Sequence, residues 1–191
     1  MEKAQARREI ERRIAALTPE RRRRASERIR TLMAELPEVQ AARTVLYFVS
    51  MADEVDTLPI LADALAAGKV VAVPKVHLRE RTMDAIVVRD LERDLVPGAY
   101  GILEPTGSEV VEPGEVDLVL VPARGFDREG NRLGRGAGFY DRYMSQPSFR
   151  ATRCGIAFAA QVLSRVPCEA HDLPVEVVVT EEGVLRFGAG L

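Results

Sequence analysis

The chain is poor in the residues that staple small folds together. It holds only two cysteines and two histidines in 191 residues. Cys154 and Cys168 have no CxxC spacing and His77 and His171 are not clustered, so neither a disulfide framework nor a structural zinc site is expected. Tryptophan is absent and aromatics reach only 5%, thin for a surface that stacks bases. No stretch approaches the roughly 18 consecutive apolar residues of a membrane span, and the N-terminal segment MEKAQARREIERRI is charged. A monomeric cytoplasmic protein with no membrane and no nucleic-acid partner is the expectation.

What is present fits one globular domain spanning residues 1–191, since a 47% apolar chain of this length can bury a core without staples. The formal charge of -2 is unevenly spread. Residues 1–30 carry 11 Lys or Arg against 5 Asp or Glu, a local excess of 6, and the remainder is acidic. The unbroken arginine run at 21–24 reads as a solvated helix face, with an RNA-binding arm as the alternative.

Ala6, Ile10, Ile14 and Leu17 form one stripe at helical spacing. Thr18 before Pro19 is a helix start, and a second helix runs from there to about Leu36, where Pro37 stops it. Short apolar runs follow at 45–49, 70–73, 85–88, 118–121, 155–158 and 175–179. Continuous rather than alternating runs predict strands covered on both faces, the mark of a parallel sheet. Residues 57–67, closed by Gly68, predict the helix of a βαβ unit, and further helices are expected at 138–145 and 159–165. The fold class is therefore α/β, a three-layer α/β/α domain with a mostly parallel, Rossmann-like sheet. The proline-rich stretch 95–114 predicts an irregular segment packed over the site.

Chemistry concentrates at residues 131–141, NRLGRGAGFYD, just after the predicted strand DLVLVP. Ligands of open α/β sheets sit beyond the carboxyl ends of strands. Gly134, Gly136 and Gly138 leave backbone amides unobstructed ahead of a helix, and Arg132 and Arg135 add forked cations, so an anion cradle is expected. Asp141 in the first helical turn makes sense beside a phosphate if it meets a magnesium ion. No GxxxxGK[ST] string occurs and the spacing is not GxGxxG, so the loop is neither a Walker loop nor a dinucleotide fingerprint. Cys154, in a predicted buried strand, reads as core.

The string RLGRGAGFYDR, preceded by DLVLVPARGFD, resembles the 5-formyltetrahydrofolate cyclo-ligase family, also called 5,10-methenyltetrahydrofolate synthetases. The likeness extends to Lys3 and Arg7 as K-x-x-x-R, to FVSMADEVDT, VPGAYGILEP and HDLPVEVVVTE. It implies a sugar-phosphate isomerase or CoA-transferase-like topology and an ATP- and Mg2+-dependent closure of 5-formyltetrahydrofolate. By position, it implies that Lys3, Arg7 and Arg132, Leu133, Gly134, Arg135, Gly136, Ala137, Gly138, Phe139 and Tyr140 meet ATP, with Arg132 and Arg135 catalytic. Val49, Glu54 and the stretch Arg135, Gly136, Ala137, Gly138, Phe139 would meet the folate, and Asp141 and Asp172 the metal. Two departures stand out: Ala137 replaces a common Lys and Phe139 a common Tyr. Arg124 is the candidate to supply the missing cation. A sugar-phosphate isomerase-like enzyme is the rival reading of the same loop.

Overall fold

The computed structural model describes residues 2–98, 101–169 and 172–187. His171 and residues 99–100 of the VPGAYGILEP segment lie outside them. Two amphipathic helices open the chain, α1 (Lys3–Ala15) and α2 (Pro19–Glu35). The Thr18 hydroxyl accepts the Arg21 amide at 3.2 Å, satisfying one of the orphan donors of α2. Pro37 ends α2 and also starts a short helix, α3 (Pro37–Ala41), because proline is suited to a first turn.

The strands are β1 (Thr44–Leu46), β2 (Val70–His77), β3 (Thr82–Val88), β4 (Leu95–Pro97), β5 (Leu103–Pro105), β6 (Val110–Val111), β7 (Leu118–Val121), β8 (Gly125–Asp127), β9 (Arg132–Leu133), β10 (Thr152–Ile156), β11 (Val162–Leu163), β12 (Val177–Thr180) and β13 (Gly183–Arg186). Two more helices, α4 (Leu58–Ala66) and α5 (Phe139–Met144), complete the elements used below. Eight strands form one sheet in the order β13-β12-β10-β7-β1-β2-β3-β6. Its centre is parallel, from β12 through β10, β7 and β1 to β2, and its margins β13, β3 and β6 are antiparallel. The run at 85–88 therefore belongs to a hairpin partner of β2, not to the parallel core.

Both faces of the centre are covered, which is why its strands are apolar at consecutive positions. Val45, Val71, Leu118, Leu120, Cys154 and Val177 face α2 and α4, with Ile29, Met33 and Leu61. Leu46, Ala72, Val119, Val121 and Val178 face the other side, with Phe126, Tyr143 and Met144. The α/β/α layering is thus present, though one layer relies on α5 and a small sheet, β11-β8-β9. Ala6, Ile10 and Ile14 pack α1 onto that small sheet through Leu133, Leu163 and Val166.

One expected helix is absent. Residues 159–165 form a 3₁₀ turn, Ala159–Gln161, followed by β11, which pairs with β8. Tertiary hydrogen bonds override the local propensity: the Gln161 side chain donates to the Arg124 carbonyl at 2.9 Å and accepts the Phe158 amide at 2.9 Å. Gly125 allows the close approach of α1, since an added Cβ would lie 2.5 Å from Ile10 Cδ1.

Candidate functional site

The chain runs from β1 outward to β2, then returns to the opposite side of β1 for β7, β10 and β12. Strand order reverses between β1 and β7, and such switch points open a crevice beyond the carboxyl ends of the strands. A cavity of about 780 Å³ lies there. Its walls include Phe48 and Val49 after β1, Pro122 after β7, and Pro74 and Val76 on the outgoing half of β2.

The fifteen residues that the resemblance assigns to nucleotide, folate or metal all line this cavity: Lys3, Arg7, Val49, Glu54, Asp172, and the unbroken stretch from Arg132 to Asp141. Leu133 lines it with its side chain committed to the α1 core, leaving its backbone for the site. Residues 102–104, from the stretch expected to pack over the site, form part of the wall, and that stretch contains the hairpin β4–β5 rather than only loop. Phe48, Met51, Val76, Leu78 and Glu169 also line the cavity and were not expected there from sequence. An exposed apolar residue such as Leu78 carries no pattern that marks it as cavity lining.

The glycine loop is anchored from below. Buried Asp127 accepts the amides of Glu129, Asn131 and Val166 at 2.9–3.0 Å, so its carboxylate is compensated and the turn before β9 is fixed. Gly136 and Gly138 adopt φ of 108° and 70°, conformations that L side chains rarely hold. Arg7 donates to the Gly134 carbonyl at 3.0 Å, which brings α1 onto the loop as a second wall.

The site is compensated from within. Lys3 pairs with Asp172 at 2.8 Å and Glu169 at 3.1 Å. Arg132 pairs with Asp141, and Arg135 pairs with Glu54 at 2.7 Å. Burial works against the Lys3 ammonium, but its two carboxylate partners outweigh that and hold its pKa above the ordinary lysine value. Asp141 also accepts the Leu173 amide at 3.2 Å, which ties the segment bearing Asp172 to the start of α5. Burial and the nearby Glu54 charge push the Tyr140 phenol well above its usual range. Its buried hydroxyl has no hydrogen-bond partner among the described residues.

The family-wide comparison matches residues 1–181 to the model of the 5-formyltetrahydrofolate cyclo-ligase family. The chain belongs to that family. The 5-formyltetrahydrofolate cyclo-ligase of Escherichia coli strain K12 is 32% identical over 181 residues, covering 93% of this chain and 100% of its own. The mouse enzyme of the same name is 31% identical over 184 residues, covering 91% of each chain. The solution structure of Aquifex aeolicus 5,10-methenyltetrahydrofolate synthetase superposes with a TM-score of 0.86 at 36% identity, covering 100% of this chain and 95% of that one. A Mycoplasma pneumoniae synthetase shares the fold, with a TM-score of 0.75 at 22% identity over 95% of this chain and 99% of that one.

One expectation for this family member is overturned. Arg124 does not line the cavity, because its buried guanidinium is held by Asp53 at 2.7 Å and Glu11 at 3.1 Å. The guanidinium that reaches position 137 is Arg142, donating to the Ala137 carbonyl at 2.5 Å and to the Arg81 carbonyl at 2.5 Å. Arg23 and Arg24 of the basic run are paired with Glu20 and Glu27, as a solvated helix face requires. Cys154 is buried in β10 with its thiol pushed up to about 12 by desolvation, consistent with a core role. Among the described residues no helix is long and apolar enough to cross a membrane.

Proposed function

We propose that this chain closes 5-formyltetrahydrofolate to 5,10-methenyltetrahydrofolate at the cavity between β1 and β7, converting ATP to ADP and phosphate. The observation that carries the reading is the convergence of Lys3, Arg7, the 132–141 stretch, Glu54 and Asp172 on one crevice, although they are up to 169 residues apart. The relatives' names supply the substrate, and the charge distribution suits the chemistry.

The formyl oxygen is a poor leaving group and must be activated. It attacks the terminal phosphoryl group, the bond to ADP breaks, and the formyl carbon becomes a phosphorylated imidate. The amine at position 10 then adds to that carbon, loses its proton, and phosphate departs as the C=N bond forms. The second step is intramolecular, where orientation is worth roughly 7–11 kcal/mol. The protein's work is positioning and charge compensation, with no covalent nucleophile. Arg132 and Arg135 stabilise the transferring phosphoryl group, and Lys3, Arg7 and the amides of residues 134–138 bind the remaining phosphates. Glu54, whose side chain is 10% exposed, accepts the paired N–H donors of the pterin beside Val49.

No group of three His, Cys, Asp or Glu side chains stands ready for a metal among the described residues. Magnesium needs fewer, since it takes one or two carboxylates and completes its shell with phosphate and water. Asp141 and Asp172, joined through the Leu173 amide, fit that requirement and would hold the ion. When bound, it would neutralise charge on the β- and γ-phosphates. Incubation with 5-formyltetrahydrofolate, ATP and magnesium should yield methenyl-folate absorbance, and absence of ATP-dependent product from folded protein would sink the proposal.

A further inference from the structure

The phosphate loop and the pterin carboxylate are joined to each other. Arg135, on the exposed glycine loop, places Nη2 2.7 Å from Glu54 Oε1. The other carboxylate oxygen, Oε2, accepts the Met51 amide at 2.9 Å. Beside this pair, Asp53 Oδ1 is 3.7 Å from Arg135, while Asp53 Oδ2 is locked to buried Arg124 at 2.7 Å. Burial alone would raise the Asp53 pKa, but Arg124 and Arg135 hold it below the usual carboxylate range, so the carboxylate stays charged.

We infer that this ion pair couples the two substrates, so that nucleotide and folate each strengthen the binding of the other. The inference rests on the proposed roles of Arg135 toward phosphate and Glu54 toward the pterin. A pterin that donates to Glu54 Oε1 competes with the Arg135 guanidinium for that oxygen. A triphosphate that draws Arg135 onto its oxygens has already broken that pair. The Met51 amide keeps Glu54 in place once the arginine leaves, so Oε1 is presented rather than released to rotate. Whichever substrate arrives first breaks the pair, and the second binds without that cost. By linkage the effect is equal in both directions. Arg135 is thus a restraint on the folate site as well as a phosphate ligand.

The test is the dissociation constant of 5-formyltetrahydrofolate, measured by titration calorimetry with and without magnesium and a β,γ-imido ATP analogue that cannot transfer its phosphoryl group. Wild-type protein should bind folate about tenfold more tightly with the analogue, inside the roughly 5- to 150-fold range usual for such couplings. Arg135→Gln should bind folate more tightly than wild type when no nucleotide is present, and the analogue should change its affinity less than twofold. Glu54→Gln, which keeps the side-chain shape but not the charge, should likewise lose the nucleotide effect. A direct attractive contact of Arg135 with folate predicts the opposite sign for Arg135→Gln, namely weaker binding. That result, or an unchanged wild-type constant in the presence of bound analogue, would overturn the coupling. Failure of wild type to bind either ligand would overturn the functional reading and the coupling with it.

Discussion

The pair Arg132–Asp141 makes a prediction about stability as well as turnover. The Arg132 side chain is 5% exposed and that of Asp141 15%. Arg132 Nε is already buried without a partner among the described residues, so the carboxylate is the main compensation for this guanidinium. Removing one member of a buried pair leaves an uncompensated charge and costs about 3–5 kcal/mol. Because Arg132 lines the open cavity, where water can reach it, the lower end applies to Asp141→Ala, about 3 kcal/mol. Asp141→Asn is isosteric and its carbonyl oxygen can still accept from Arg132 and from the Leu173 amide. It forfeits only the charge-assisted part, about 1–2 kcal/mol. In a chain of this size each kcal/mol shifts the melting temperature by roughly 2–4 °C, so Ala should lower it by about 10 °C and Asn by about 3–6 °C. Calorimetric melting of both variants, with Arg132→Gln completing a double-mutant cycle, measures this directly. An Asp141→Ala protein that melts with wild type, or a cycle with no coupling, would refute the dependence of Arg132 on this carboxylate. Loss of magnesium-dependent turnover without any change in stability would mean that Asp141 serves the ligand alone.

Gly155→Ala would set a Cβ 2.4 Å from the Phe126 ring in the fully buried core, and a loss of about 2–3 kcal/mol in urea unfolding is expected, partly relieved by adding Phe126→Leu. Arg124→Gln removes the buried guanidinium and leaves Asp53 and Glu11 exposed enough to be solvated, so only the charged hydrogen bonds are lost; it should cost about 1–2 kcal/mol by the same unfolding assay, and a cost below 0.5 kcal/mol would deny this network a structural role. Burial raises the pKa of Tyr47 and Tyr140 and pushes Tyr143 and Cys154 up to about 12. Their stabilisation is complete below the unfolded values, about 8.5 for the thiol and 10 for the phenols, and is lost as pH rises toward the folded ones. Stability should therefore decline above about pH 9, with phenolate absorbance of these tyrosines appearing together with loss of circular dichroism; phenolates that titrate fully in still-folded protein would contradict the burial argument.

Local chemistry was legible where one interaction decides it. Thr18 and Pro19 announce the start of α2, Gly68 closes α4 with a positive φ of 74°, and the consecutive apolar residues 118–121 declare a strand covered on both faces. The hairpin of β2 with β3 was not legible, because consecutive apolar residues say that both faces are covered and nothing about strand direction. The 3₁₀ turn at Ala159–Gln161 was hidden for a different reason: the Gln161 amide is captured by the Arg124 carbonyl, 37 residues away in sequence. For the site, glycines, arginines and the preceding strand pointed to residues 131–141 unaided. Lys3, Arg7, Glu54 and Asp172 gain meaning only from the resemblance or from the fold, since a helical lysine or a turn aspartate is ordinary by itself.

The same contrast applies to charge. A glycine loop with two arginines suggests surplus positive charge waiting for an anion. In the folded chain, Lys3, Arg132 and Arg135 each already have a carboxylate, and those of Lys3 and Arg135 come from 169 and 81 residues away. A ligand does not fill an empty positive field here; it exchanges one set of partners for another. A bare phosphate would draw the cations away from Asp141, Asp172 and Glu54 and sit beside those carboxylates, so much of its attraction would be offset. A triphosphate accompanied by a divalent cation, together with a pterin that donates N–H groups, supplies a partner to both signs. Under the proposed function, the internal pairing favours the complete set of substrates over any fragment of it, which is a form of specificity that no single residue type in the loop conveys.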